Sequence, residues 1–484
     1  MSNFIKTTSS LFRQNITLLF GLLLLTMVIS RFGVAFSDKS SIIVAPEKMF
    51  QVVPIGIDFF TGVLKPALRI MDGTLFYDDI AVYGPALAVS IIPAIRILTN
   101  YKLCNLVDIY SCSYILYHWL LAITLSGYVL LIWLVNREAK KETVNIAFVY
   151  FTTFLLSFPG SFGLERGNID IILSLLIGFL LYLSLHVNNV SQGKLFFKWL
   201  LIIIIGLIAG FTSNVKIFLL LFASIAIFVS PVRLVSAFVF LVTFLGLTYL
   251  PRVFGTQAGL PELLRWSMLY IQKAPVTPFH TTIQYNHSLA ATASLFTSCI
   301  WKQTCSNAAD IIIISTVSKF LFVVTFVFPV FTLSKARRKI VYVSMLTFKK
   351  MRNGIPIVDR ILKQIDSGFH NRSWIVFLFI IGDALINLVP TYSFTFRLYY
   401  SLPILLILFK ETEDNSQARK YCVFSMVFLA IKGLWIFLVV NPYGADLFEP
   451  RGMNFFVILH FYYAIKAGAV LAFFPKAYIT NKPL

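Results

Sequence analysis

Residues 51–85 read QVVPIGIDFFTGVLKPALRIMDGTLFYDDIAVYGP, a polar interruption in an otherwise apolar chain. An apolar run from Ile16 to Phe36, long enough to span a bilayer, precedes it. Another apolar run begins at Ala86. Between them stand Asp58 among apolar neighbours, an amphipathic segment with Lys65 and Arg69, the pair Asp78 and Asp79, and Tyr83-Gly84-Pro85. A carboxylate held beside cations at a membrane surface is costly, which makes Asp58 a functional candidate. The plainer reading is that Asp58 caps a helix starting at Phe59.

The surrounding chain sets the class. Its 484 residues are 58% hydrophobic and 13% charged, against about 45–50% apolar and about 25% charged in soluble domains. This composition belongs to an all-α integral membrane protein, a polytopic helical bundle. The 48 Phe and 21 Tyr suit lipid-facing surfaces and interfacial belts. The net charge of +20 reads as cytoplasmic Lys/Arg beside anionic headgroups of membrane lipids rather than as a nucleic-acid surface. No nucleic-acid motif is present. The first apolar run reads as an uncleaved signal-anchor. The five Cys form no C-x-x-C pattern and no cofactor is expected; Asp78 and Asp79 could hold a metal, although paired carboxylates in a loop are more often a cap or turn.

Orientation follows from the segment 334–373, which holds ten Lys/Arg against Asp359 and Asp366 and is therefore expected on the cytoplasmic side. Spans are expected near 374–389, 395–410, 421–440 and 453–474 after it. Before it they are expected near 310–333, 234–250, 168–186, 143–158 and 113–135. The run 200–230 is too long for one untilted span of about 20 residues. Its GFTSNVK interruption predicts two short helices meeting at Lys216. Residues 86–99, short and containing Pro93 and Arg96, are expected as a helix lying at the outer surface. About twelve spans result, with both ends inside. A rival arrangement crosses at 86–99 and treats 200–230 as one tilted span. The first divides the chain into an N-terminal membrane module 1–250 with an outer loop 37–111, a long outer loop 251–309, and C-terminal helices 310–484 carrying the basic segment. It also places Cys104 and Cys112 in one outer loop and Cys299 and Cys305 in another, where short-range disulfides are expected; unpaired small apolar residues are the alternative.

Further polar groups stand where apolar segments begin or end. LERGNID sets Glu165, Arg166, Asn168 and Asp170 at the outer end of a span. Arginine is the preferred fork for phosphate or carboxylate, although pairing of Arg166 with Glu165 or Asp170 would merely neutralise the helix end. GFTSNVK buries Asn214 and Lys216 between apolar runs, which requires partners unless the lysine snorkels. QYNHSLAATASLF places Asn286, His287 and Ser288 before a helix-like segment that Asn or Ser would cap. TYSFTFRLYYSLP brings Arg397, Tyr399 and Tyr400 to the start of a span, where tyrosines usually form a belt.

The Asp-Phe of the first outer loop, the F-Y…Y-G-P run, the R-G-N-x-D turn and the lysine after a glycine-rich helix together resemble membrane glycosyltransferases of the GT-C fold. The resemblance is to glycosyltransferase family 87, which is polyprenol-phosphate-sugar dependent. N-H-S-L and R-L-Y-Y…L-P resemble its later motifs, and the likeness runs in short motifs over roughly residues 15 to 410. Two departures stand out. The family often has R-G-Q-x-N where this chain has Arg166-Gly167-Asn168-Ile169-Asp170, and K-x-x-P where Lys216 has no nearby proline.

The resemblance implies an inverting transfer of a single sugar from a polyprenyl phosphate to a cell-envelope glycan or glycolipid. The active site would face the periplasm from the inner membrane, glucosylation of O-antigen being one such reaction. Asp58 would be the general base. Arg166, Lys216 and Arg397 would bind the donor phosphate. Glu165, Asn168, Asp170, Asp78, Asp79, Tyr83, Asn286 and His287 would contact sugar or acceptor. A donor-synthesising enzyme and a flippase would be partners. An O-antigen ligase or polymerase is the nearest alternative enzyme. A secondary transporter is the alternative of another class, for which inverted repeats are the expected mark and none is visible.

Overall fold

The structure is a computed structural model describing residues 18, 21–25, 57–74, 83–103, 109–157, 164, 168–187, 195–257, 259–265, 288–294, 308–333, 371–390, 395–439 and 454–473. Every regular element among these residues is helical. Helix α1 runs through Ile57–Phe59, a π-helical turn Phe60–Leu64 and Lys65–Met71. It is followed by α2 (Pro85–Asn100), α3 (Ile109–Asn136), α4 (Lys141–Leu156), α5 (Asp170–His186), α6 (Leu195–Val215), α7 (Leu220–Val229) and α8 (Arg233–Tyr249). Then come the short α9 (Leu289–Ala293) and α10 (Ala308–Phe322), which passes through a π-helical turn Val323–Val327 into Phe328–Phe331. The series closes with α11 (Arg372–Leu388), α12 (Ser401–Glu411), α13 (Ser416–Val439) and α14 (Asn454–Phe473).

Among the described residues, five helical stretches are long and apolar enough to cross a membrane: Cys112–Asn136, Leu195–Val215, Arg233–Phe254, Ile312–Phe331 and Asn454–Phe473. Pro85–Asn100, Asp170–His186 and Ile217–Val229 are shorter apolar helices. Helices therefore stand where spans were expected, but α4, α5, α11 and α12 have 16, 17, 17 and 11 residues. Each falls short of the roughly 20 residues of a straight crossing. The span expected at 395–410 opens instead with a 3-10 turn, Thr395–Tyr400, and α12 starts only at Ser401.

The interruption in the 200–230 run lies where the sequence put it. Helix α6 stops at Val215, Lys216 is extended (φ −138°, ψ 110°), and a 3-10 turn Ile217–Leu219 leads into α7. The first half is not short, however: α6 begins at Leu195 and has spanning length. It packs closely along α8 because Gly206 and Gly210 carry no Cβ. A Cβ at these positions would lie 2.7 Å from Val239 and Thr243 side-chain atoms, within 3.0 Å of the Ser236 and Phe240 carbonyls. Small residues spaced by four let helix backbones approach where lipid supplies no hydrophobic drive.

Helix α5 is the centre of the bundle. Its sequence DIILSLLIGFLLYLSLH is apolar on all sides, which marks a helix buried all round. It packs against α3, α6, α7, α11, α12 and the 395–400 turn. Helix α2 buries Leu87, Ile91, Ile92, Ile95 and Leu98 and packs on α1, α3, α6 and α8. The helix continues through Pro93, whose ring is exposed. Of the basic segment 334–373 only its last three residues are described; Asn371 caps α11, accepting from the Ser373 N–H at 3.1 Å. Ser288 caps α9 in the same way, accepting from Ala291 N–H at 3.1 Å, which bears out the capping reading of that stretch.

Cys112 is disulfide-bonded. Cys422 is free and buried. Cys104, Cys299 and Cys305 lie outside the described residues.

Candidate active site

The break after Val215 organises the site. Asn214, 1% exposed, donates from Nδ2 to the Phe244 carbonyl at 3.1 Å and to Thr248 Oγ1 at 2.8 Å, tying the end of α6 to α8. Its Oδ1 accepts from the Ala86 N–H at 3.0 Å, so it satisfies an orphan donor at the start of α2. The Gly84 N–H donates to the Val215 carbonyl at 2.8 Å. Gly84 is required there because a Cβ would stand 1.8 Å from the Asn214 carbonyl oxygen. Pro85 then opens α2, where its missing N–H costs nothing. The Tyr-Gly-Pro run thus joins the start of α2 to the broken helix.

Lys216 is the first residue beyond the end of α6. Its ammonium donates to both carboxylate oxygens of Asp170, at 2.7 and 2.8 Å. The Tyr400 hydroxyl donates to Asp170 Oδ1 as well. The Lys216 ammonium also stands over the Tyr83 ring, 5.0 Å from its centroid. Arg397, 5% exposed, lies over the Phe218 ring at 4.7 Å, near enough to Lys216 for their charges to interact.

Asp58 closes the cluster from α1. It sits inside the helix, in its first turn, and so does not cap one starting at Phe59. Its half-buried carboxylate accepts from Asn168 Nδ2 at 3.3 Å. Asn168 Oδ1 in turn accepts from the Asp170 N–H at 2.9 Å, so one asparagine links the Asp58 carboxylate to the backbone of Asp170. Two residues after Asp58 begins the π-helical turn Phe60–Leu64, a distortion frequent at functional sites. Phe59 packs on Tyr117, their rings 5.7 Å apart. The Tyr117 hydroxyl donates to the Leu164 carbonyl, one residue before Glu165.

No known protein family, characterised protein or solved structure matches this chain. The site stands on its own chemistry: Asp58 and Asp170 against Lys216 and Arg397, with Asn168, Tyr83 and Tyr400 between them. Among the described residues no group of three His, Cys, Asp or Glu is placed to hold a metal ion.

Six residues singled out in the sequence are therefore brought together: Asp58, Tyr83, Asn168, Asp170, Lys216 and Arg397. Asp78, Asp79, Glu165, Arg166, Asn286 and His287 lie outside the described residues. The belt reading of Tyr399 and Tyr400 is corrected, since both are 0% exposed. Tyr400 is spent on Asp170, and Tyr399 packs edge-on against Phe154 at 5.4 Å.

Sequence reasoning missed a second polar chain directly behind Tyr400. Ser401 Oγ donates to Asp383 Oδ2 at 2.6 Å, and Asn387 Nδ2 donates to Asp383 Oδ1 at 2.8 Å. His460 Nε2 lies 3.2 Å from Ser401 Oγ, and its Nδ1 lies 2.8 Å from Ser425 Oγ and 3.1 Å from the Ser425 carbonyl oxygen. This chain fixes the head of α12 and with it the turn carrying Arg397 and Tyr400. The signal was available: Asp383 in IIGDALINL and His460 in VILHFYY are lone ionisable residues in apolar runs, which ordinarily mark a paired interior site.

Proposed function

We propose that the chain is an inverting membrane glycosyltransferase that moves one sugar from a polyprenyl-phosphate donor to a glycan or glycolipid acceptor. What supports this reading is the meeting of Asp58, Asn168, Asp170, Lys216 and Arg397, drawn from four distant parts of the sequence, at the junction of the outer-loop segment and the broken helix. A carboxylate base and a set of buried cations are the two things the reaction needs. Asp58, half-buried and held by a neutral amide, takes the proton of the acceptor hydroxyl as its oxygen bonds to C1. The C1–O bond to phosphate breaks, and the polyprenyl phosphate leaves with the electron pair. The charge growing on that leaving group is met by Arg397. Lys216, engaged twice by Asp170, supports this arrangement by holding the α5 and α6 ends together.

About twelve crossings of a GT-C-type bundle in the inner membrane, with this cluster on the periplasmic side, belong to the same proposal. The disulfide at Cys112 agrees with an oxidising outer side for the start of α3. Glucosylation of O-antigen is one reaction of this class. The decisive experiment supplies the purified protein with radiolabelled polyprenyl-phosphate hexoses and envelope glycans and looks for labelled acceptor. Absence of transfer with every donor, in protein that binds none of them, sinks the reading.

One observation favours a second reading, a secondary transporter. The interruption at Lys216 with a buried ion pair beside it is the discontinuous-helix geometry in which transporters hold charged substrates. Uptake of a solute into vesicles, abolished by Lys216→Met in the absence of any glycosyl transfer, would establish it instead.

A further inference from the structure

Helix α5 carries Asp170 at one end; its other end opens on a cavity of about 260 Å³. The two places are separated by about 24 Å along the helix, at 1.5 Å per residue. The cavity is framed by the C-terminal ends of α3, α5 and α12 and by the first residue of α11. Leu134, Leu185 and Ile407 make an apolar wall, and Arg137, Glu138, Arg372 and Glu411 are among its charged groups.

Charge defines what fits. Three helix C-termini present negative dipole ends and one N-terminus a positive end, so the frame itself has both signs. Some lining charges are already committed. Arg372 donates to Glu411 at 2.8 Å, and Lys410, also in the lining, donates to Glu413 at 2.7 Å. Arg372 Nε remains shielded without a hydrogen-bond partner. Arg137 and Glu138, the two residues that follow α3, are exposed cavity-lining charges of opposite sign. A purely anionic ligand would meet carboxylates, and a purely cationic one would meet guanidiniums.

We propose that this cavity binds the headgroup of a zwitterionic phospholipid bearing a primary ammonium, of the phosphoethanolamine class. Its phosphate diester lies against Arg372 and Arg137, its ammonium against Glu138, and its glycerol end on Leu134, Leu185 and Ile407. The volume suits a headgroup and is below that of ordinary drug-sized pockets. The site is separate from the catalytic reading above and does not depend on it.

The test uses the full chain purified in detergent, titrated with dihexanoyl phosphatidylethanolamine, phosphatidylcholine, phosphatidylglycerol and inorganic phosphate, with binding read by native mass spectrometry. Phosphatidylethanolamine is expected to bind about tenfold tighter than the other lipids, the worth of one charge-assisted hydrogen bond. Glu138→Gln removes that preference and leaves phosphatidylglycerol unchanged. Arg137→Gln, at an exposed position, weakens both lipids without disturbing the Arg372–Glu411 pair. Equal binding of the three lipids, an unaltered preference in Glu138→Gln, or displacement of phosphatidylethanolamine by equimolar phosphate would each overturn the proposal.

Discussion

Lys216 and Asp170 form a two-pronged ion pair in which the lysine side chain is 8% exposed and the aspartate 0%. Two charges taken out of solvent are held only by good geometry and further hydrogen bonds, which Tyr400 and the Asn168-anchored backbone supply. Deleting one partner leaves the other buried and uncompensated, at a cost of about 3–5 kcal/mol. Lys216→Met should therefore lower the detergent-solubilised melting temperature sharply. The double variant Lys216→Met/Asp170→Asn should regain more than half of the loss. Melting of Lys216→Met alongside the parent would show that the pair contributes nothing to stability.

Asp58→Asn keeps an oxygen able to accept from Asn168 but removes the proton acceptor. Transfer from a polyprenyl-phosphate sugar should fall by roughly 10²–10⁴-fold, with donor binding retained. Arg397→Ala, by contrast, should weaken donor binding as well as turnover, because the phosphate is charged before reaction begins. Near-normal turnover in Asp58→Asn would remove Asp58 from the mechanism.

Two glycine-to-alanine changes should act in opposite directions. At Gly84 the new methyl group would collide with the Asn214 carbonyl, with backbone on both sides, costing about 3 kcal/mol. At Gly246, in α8, nothing lies within 4 Å of the added carbon, and alanine should stabilise the helix by about 0.5–1 kcal/mol. Melting curves of the two variants check the pair together.

Glu413 sits in the turn between α12 and α13. Burial alone would raise its pKa. Hydrogen bonds from the Lys410 ammonium, the Lys140 N–H and the Thr143 hydroxyl outweigh burial and hold it below the usual carboxylate range. A depressed folded-state pKa adds stability that is complete above the unfolded value, about 4.3, and is lost as pH falls through the folded one. Glu413→Gln should accordingly destabilise by about 1–3 kcal/mol at pH 7. The difference from the parent should shrink as the pH drops below about 4. A gap independent of pH would mean that shape rather than charge is what matters there.

Helix positions were legible because apolar runs and their polar stops are local properties. The break at Lys216 is the best case: lysine beside Asn214 in an apolar run cannot remain helical and lipid-facing. Partnerships were not legible. Asp170 was read against Arg166, four residues away, whereas its carboxylate meets Lys216 and Tyr400 through packing of α5 between α6 and the 395–400 turn. Tyr400 was misread for the same reason, since the periodicity of a short segment does not say whether it faces lipid or a neighbouring helix. Asn214 needed a partner, as its burial required, but that the partner would be the start of α2 depends on the bundle alone.

The links that close this cluster join residues 128, 110, 46 and 230 positions apart: Ala86 with Asn214, Asp58 with Asn168, Lys216 with Asp170, and Tyr400 with Asp170. A ribosome adding about 5–20 residues per second needs on the order of ten seconds to supply Asn214 after Ala86, and longer to supply Tyr400 after Asp170. Throughout that interval Asp170 is already synthesised and its buried environment is not. The segment around Asp58 and Ala86 must thus wait for Asn168 and Asn214, and Asp170 must wait for Tyr400 in the C-terminal half of the chain. Truncations ending before Tyr400 should be recognised by membrane quality control as incomplete, however well their individual helices insert.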